Sequence, residues 1–359
     1  MPDPRRPDLP YHSGLNLRIR RHVPPPPFGK RVYAKGSERQ ESPPQLIREV
    51  TQSEWCLRHP PADTPLHPDA TVHSLHVIDE VACEDERGAQ VVRCCLDQDE
   101  ARVYVAKIYD PLYYSFGNRG AGSAVDVTWL ADQHYSREAA AYEDLKKAGV
   151  DGVLVPEYYG SWTFDMPLLG SPPVMRPVRM VLIEWLQGVS MYSLIESNQV
   201  SRIPPEQRLR ILAAAMEVEC KLAFHGVRHN DFAPRNVMLV GSSIETQVPR
   251  VLLVDLNKSV ALTRPNCFYT KSGATRPINP RYRYWGGCPI EFFSWVPQPH
   301  RSRSPAFKGW LKTQWEHSEK FADRTEGLLK RKDYDEPIEI VAPLPDTLGP
   351  PILHLCPSG

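Results

Sequence analysis

The sequence predicts an α+β protein in two unequal parts: a small antiparallel β-sheet carrying one helix, then a larger, mainly helical part. Three observations carry that expectation. Residues 74–79, 90–96 and 102–109 read as strands, with β-branched and aromatic residues alternating in the third. A helical stretch follows over 136–148, where Ala139, Tyr142 and Leu145 share a face. Beyond residue 204 the strongest signal is a long helix, with Leu209, Leu212, Ala213, Met216, Cys220, Ala223 and Phe224 spaced by threes and fours.

Each element has a local reason. Residues 84–88 form the turn between the first two strands, and Pro111 ends the third. Residues 110–133 lack a period, contain glycine and read as a loop. Ser136 can cap the first helix, Arg137 and Glu138 lie in its first turn, and Gly149 stops it. Two further strands are expected over 153–162 and 178–185. Pro204 and Pro205 open the long helix, where a missing N–H costs nothing, and Gly226 ends it. Short strands over 236–240 and 251–254 follow. A last helix is predicted over 307–329, with Trp310, Leu311, Trp315, Phe321 and Leu328 on its apolar side. The expected division is therefore a sheet part over 69–183, a connection at 184–188, a helical part over 189–340 and a Pro-rich tail over 341–359.

Fourteen of the 37 prolines fall in residues 1–68, which are predicted to be an extended, disordered leader. It carries a basic cluster, Arg18, Arg20, Arg21 and His22, read first as solvated charge and second as a patch for an import receptor or acidic partner. Through its prolines the leader offers a place for protein partners. The 43 basic and 43 acidic residues cancel, so nothing general argues for nucleic acid or an anionic membrane as partner. No run approaches the roughly 20 apolar residues of a membrane helix, and the N-terminus lacks the apolar core of a secretory signal. Eight cysteines without CxxC pairs do not read as a disulfide framework. The expected compartment is intracellular, cytoplasmic or nuclear.

The informative segment is HNDFAPRN, residues 229–236, followed 19 residues after its last Asn by Asp255. A loop of this pattern between a long helix and a hairpin resembles that of phosphoryl-transfer enzymes. The resemblance implies that Asp231 would sit where a substrate hydroxyl arrives, that Asn236 would turn back to ligate magnesium, and that Asp255 would reach the same metal from the neighbouring strand. The pattern resembles phosphoryl-transfer enzymes of the protein-kinase-like superfamily. It looks most like fungal kinase-domain proteins with a short C-terminal lobe, a likeness carried also by KIYDP (107–111), REAAAY (137–142) and NDFAPRNV (230–237) and spanning residues 73–334.

The resemblance implies a two-lobed protein-kinase-like fold, ATP and Mg²⁺ as cofactors and a hydroxyl acceptor. Asp231 would be the catalytic base, with Arg235 four residues on, as in tyrosine-kinase-like loops. Lys107 would hold the phosphates, oriented by Glu138, with Glu143 as the alternative partner. Glu184 and Leu186 would lie in the inter-lobe hinge, whose backbone would hydrogen-bond an adenine, and Asn236 and Asp255 would hold Mg²⁺. Each residue also has a plainer reading: a strand lysine is usually surface charge, a helix glutamate is usually solvated, and a lone histidine such as His229 is more often structural. His225 and His229 are spaced like zinc ligands, but no third ligand is evident.

Three departures bear on function. The turn at 84–88 has one glycine and three acidic residues, a poor phosphate cradle. Asp255-Leu256-Asn257 stands where the family has Asp-Phe-Gly, and nothing later reads as Ala-Pro-Glu. The expected activity is an ATP-dependent phosphotransferase, protein Ser, Thr or Tyr being slightly favoured as acceptor. The alternatives are a small-molecule kinase of the aminoglycoside or choline type, which shares the His-Asn-Asp sequence, and a pseudokinase scaffold. The aromatic and basic stretch 276–295 is weighted toward core packing over a binding surface.

Overall fold

Alternating side chains build the first part of the molecule. Six strands, β1 (Asn16–Arg21), β2 (Val72–Ala82), β3 (Gln90–Leu96), β4 (Val103–Tyr109), β5 (Tyr158–Pro167) and β6 (Met175–Glu184), pair antiparallel. They close into a barrel in the order β1-β2-β3-β4-β6-β5. The computed structural model describes residues 2–338 except 30, 37, 66, 70, 118–123, 242, 272, 323–328 and 332–336, so the tail expected over 341–359 lies outside the described residues. The first three expected strands form. The next two are shifted: β5 begins at Tyr158, because the chain first turns at Gly152 and pairs Asp151 with Val155, burying Leu154 and Val155 outside any strand.

The expected leader is not a free segment, and that reading is corrected. β1 lies inside it and closes the sheet, setting Leu17 opposite Leu75 of β2 and Arg20 opposite Thr163 of β5. Leu17 and Ile19 face the interior, whereas Arg18 and Arg20 face out as the outer half of an alternating strand; Arg21 is half-buried and His22 buried, so the four do not form one solvated cluster. Arg21 lies 4.2 Å over the Trp162 ring and donates to Tyr159 O at 2.7 Å. Between β1 and β2 come α1 (Pro44–Ile47) and α2 (Gln52–Arg58). Tyr11, Phe28, Tyr33, Ile47 and Trp55 are all buried against the body of the protein. Proline fixes backbone angles without forbidding packing, and scattered anchors bury apolar area without giving a period. The leader is thus a wrapped part of the fold and not a loose proline-rich ligand.

α3 (Val127–Lys147) crosses the barrel and starts nine residues before the expected Ser136. Its cap is Asp126, which accepts from Trp129 N at 3.2 Å. The same carboxylate is gripped by Arg39 at 2.7 Å through both nitrogens, by Ser42 N at 2.9 Å and by Trp55 Nε1 at 3.1 Å. Three of its partners therefore come from the wrapped segment, which no local pattern discloses. Ser136 is instead a buried helical residue.

The remainder is built from α4 (Met191–Glu196), α5 (Pro205–Phe224), α6 (Pro280–Arg283) and α7 (Ser304–Trp315) with short strand pairs. β7 (Val189–Ser190) joins the hairpin of β9 (Val237–Val240) and β10 (Arg250–Leu253), and β8 (Val227–Arg228) pairs with β11 (Val260–Ala261). Farther on, β12 (Tyr269–Thr270), β13 (Leu329–Arg331) and β14 (Pro337–Ile338) pair in that order. The long α5 matches its expected bounds. α7 stops at Trp315 and not at 329, because Ala322 is drawn into backbone pairing, donating to Pro277 O at 2.7 Å and accepting from Asn279 N at 3.3 Å. One continuous cluster of buried apolar residues runs from Tyr11 through the barrel and α5 to Phe321.

Candidate active site

β4 lies between β3 and β6, so Lys107 is 7% exposed and must have its charge answered. α3 supplies the answer. Glu138, fully buried, accepts from Lys107 Nζ at 2.5 Å, and the same ammonium donates to Asp255 Oδ1. Tyr109, two residues along β4, donates its hydroxyl to Glu138 Oε2, and Leu256 N donates to Glu138 Oε1 at 3.1 Å. Glu143, the alternative partner, instead meets Arg264 at 2.8 Å. One buried lysine thus ties together a strand, a helix and the segment after β10.

The charges are set by that arrangement. Burial works against the Lys107 ammonium, but Asp255 and then Glu138 outweigh it and raise its pKa. Burial raises the Asp255 carboxyl, yet Lys107 overrides it and brings it down to about 2. Glu138 is pushed up, by burial first, with Lys107 opposing and Asp255 adding to the rise.

The second half of the site is the loop after α5. Fully buried His229 joins its Nε2 to Val254 O at 2.9 Å and its Nδ1 to Asp231 N at 3.2 Å. The amide must donate and the carbonyl must accept, so the imidazole is neutral with its proton on Nε2. Burial lowers its pKa in the same sense. His229 is a brace between the loop and the end of β10.

Asp231 is thereby presented with two cations on it: Arg235 donates to Oδ1 at 2.6 Å and Lys258 Nζ lies 3.4 Å from Oδ2. Asn236 turns its amide nitrogen to Asp231 O at 2.8 Å and to Asp231 Oδ2 at 3.1 Å, which leaves its carbonyl oxygen for another partner. Asn236 O also accepts from Val254 N at 3.0 Å, placing Asn236 beside the residue that precedes Asp255. Asp255 itself adopts a left-handed backbone, φ 64° and ψ 69°, which aspartate tolerates better than most residues.

The donor set fits magnesium. An amide oxygen of Asn236 and a carboxylate of Asp255 are hard oxygens, and no group of three His, Cys, Asp or Glu among the described residues could cage a metal without help. Such a pair suits an ion that brings phosphate and water ligands with it. Both ring nitrogens of His229 are engaged, by Val254 O and Asp231 N, so its spacing from His225 reflects the brace.

Glu184 and Leu186 have partners within the chain. Glu184 N donates to Glu157 O at 2.9 Å, while its carboxylate accepts from Glu157 N at 3.1 Å and meets Arg250 at 3.5 Å. Glu184 therefore clips the end of β6, and its amide is not available to an adenine. Leu186 is buried and its carbonyl accepts from Gly188 N at 2.9 Å. Gly188 is required there, since a Cβ would strike the carbonyl of Leu239.

The turn at 84–88 is held from beneath by Gln90, which accepts from Glu84 N at 2.9 Å and donates to Glu84 O and Gly88 O at 2.9 and 3.1 Å. Arg6 pairs with Asp85 and neutralises one of its acids. Sequence reasoning missed Lys258, Tyr109 and Arg6. The first lies three residues after Asp255 and could have been sought; nothing local points to Arg6.

No protein-family model matches the chain, and no curated protein does. Among solved structures it is similar to the Mycobacterium tuberculosis PknI kinase domain, at 14% identity and TM-score 0.33, over 64% of this chain and 76% of that one. A double mutant of that domain aligns at 16% identity and TM-score 0.32, over 51% of this chain and 60% of the other. WaaP in complex with acyl carrier protein aligns at 20% identity and TM-score 0.30, over 49% and 60%. Likenesses this shallow assign no residue.

Proposed function

We propose that the chain is an ATP- and Mg²⁺-dependent phosphotransferase of the protein-kinase-like type, acting on a protein hydroxyl. The observation that supports this most is the meeting of Lys107, Glu138 and Asp255, from positions 107, 138 and 255, beside a loop that presents Asp231 and Asn236. Random burial of one lysine does not recruit two carboxylates and place an Asp–Asn pair next door.

In this reading Lys107 leaves Asp255 to hold the nucleotide phosphates, and Glu138 keeps its ammonium in place. Asn236 and Asp255 would hold the magnesium, whose charge offsets that of the phosphates. Leu186 and the backbone around it would border the adenine. Asp231 takes the proton of the acceptor hydroxyl as its oxygen bonds to the γ-phosphorus and the bond to the departing ADP oxygen breaks. Arg235 and Lys258 orient the Asp231 carboxylate, and both cations lie where charge develops on the transferred group.

The test needs no knowledge of the acceptor, because water can replace it. Release of phosphate from ATP is measured for the wild-type chain and for Asp231→Asn. The variant is expected to bind MgATP as before and to turn over about 10²–10⁴-fold more slowly. Equal rates would remove Asp231 as the base.

A further inference from the structure

Residues 264–320 hold ten Lys and Arg against three Asp and Glu, in a chain whose charges balance overall. Some of these cations are spent internally: Arg264 meets Glu143 and Asp144, and Arg283 meets buried Glu219 at 2.5 Å. Others gather around one ring. Lys308 Nζ is 5.3 Å, Lys312 Nζ 6.0 Å and the Arg281 guanidinium 5.9 Å from the centre of Trp285. Arg281 has Glu316 at 3.2 Å, but neither Lys308 nor Lys312 has a carboxylate partner among the described residues. They stand one turn apart on α7, a spacing at which like charges repel. The ring attracts each of them but carries no net charge, so the cluster stays positive.

Two further features lie along the same stretch of chain. Ile290 is 76% and Phe293 39% exposed beside buried Phe292, and Arg301 donates to Phe293 O at 3.3 Å. The surface is also continuous with the candidate catalytic loop. Phe232, next to Asp231, has its ring 4.7 Å from that of Phe292 and 5.8 Å from that of Tyr284, the neighbour of Trp285.

We propose that this face docks an acidic peptide, and that it thereby supplies the acceptor segment to Asp231. The second clause rests on the phosphotransfer reading; the first does not. Carboxylates on the peptide complement Lys308 and Lys312, and its apolar side chains cover Ile290 and Phe293. A nucleic acid would want open aromatic faces for stacking, but the cations crowd around the Trp285 ring. The exposed aliphatic and phenyl groups suit a peptide better.

The test is fluorescence anisotropy of a short fluorescein-labelled oligoglutamate on the full chain, without nucleotide, at low salt. Binding is expected, weakening as salt rises. The double reversal Lys308→Glu, Lys312→Glu should weaken it about tenfold or more, and Lys308→Arg, Lys312→Arg should retain it. Both positions are on the surface face of α7, and an unchanged melting temperature checks the fold.

No binding, or equal binding by the reversed variant, overturns the docking face. So does tighter binding of single-stranded oligonucleotide or phosphatidylserine vesicles through the same two lysines. ATP turnover is read separately: its absence in a chain that binds oligoglutamate removes the phosphotransfer reading and leaves the docking face standing. Turnover without peptide binding does the reverse.

Discussion

Lys107 is contested by two carboxylates, and that competition is what makes it informative. With Glu138 buried and Asp255 on the opposite side, the ammonium screens two negative charges from each other. In Lys107→Met the carboxylates face one another with no cation between them. Glu138, already shifted upward, must then rise further and take up a proton. A carboxyl raised in the fold favours folding at low pH and loses that contribution as pH rises through its folded value. The variant should therefore melt below wild type by a margin that is larger at high pH and narrows on acidification. A margin independent of pH, read by calorimetry across that range, would contradict the charge assignment. Lys258 belongs to the same scale. Lys258→Ala should leave MgATP affinity within a few-fold and slow ATP turnover by about 10²-fold, the usual cost of one donor at a transferring group. Isothermal titration beside a phosphate-release assay separates the two effects.

At the scale of elements, β1 and the wrapped segment decide how α3 sits. His22, at the end of β1, donates from Nε2 to Thr64 Oγ1 at 2.8 Å, since the Thr64 hydroxyl is given to Val23 O, and its Nδ1 lies 2.6 Å from the Tyr135 hydroxyl. Burial, then Arg179, pushes its pKa down to about 3. A depressed histidine contributes stability present above its ordinary value and lost as pH falls from about 6.5 toward 3. His22→Gln should flatten the decline of melting temperature over that window; an unaltered slope would place the acid sensitivity elsewhere. The segment after β1 continues to the far side of α3. Arg137 donates to Phe28 O at 2.8 Å, Asn266 to Pro27 O at 2.7 Å, and Ala261 N to the Tyr33 hydroxyl at 2.8 Å. It thus ties the helix that carries Glu138 to the chain that follows Asp255. Tyr33→Ala should cost on the order of 3 kcal/mol in chemical denaturation, as for other large buried side chains.

These elements also show what the sequence could disclose. That Lys107 meets Glu138 and Asp255, and Asn236 meets Asp231, was legible because each lies in a short pattern whose order along the chain carries the resemblance. β4, α5 and the β9–β10 hairpin were legible by period. The wrapped segment was not, for its anchors are single residues separated by prolines, and their partners lie up to more than two hundred residues away. The start of α3 was missed for a related reason: Asp126 is a cap held by Arg39, Ser42 and Trp55 rather than by its neighbours alone. At Glu184 order along the chain suggested a hinge but not the local partners, for its amide goes to Glu157 O and its carboxylate to Glu157 N and Arg250.

Across the whole molecule, the barrel and the helical part share one apolar core, and the site lies where they meet. Removal of residues 1–68 would delete β1, open the barrel and expose Leu75, Val77 and the face of α3. Such a truncation should fail to give a cooperative thermal transition. The central claim, that the assembled charges form a working nucleotide site, is tested most directly by the melting temperature of the full chain with ATP, with and without Mg²⁺, beside Asp255→Ala. At 100 times the dissociation constant a ligand stabilises by about 2.7 kcal/mol, a rise of a few degrees. A magnesium-dependent rise is expected in the wild-type chain, and Asp255→Ala should abolish it. No rise at millimolar ATP, or a rise the variant keeps in full, would contradict that claim.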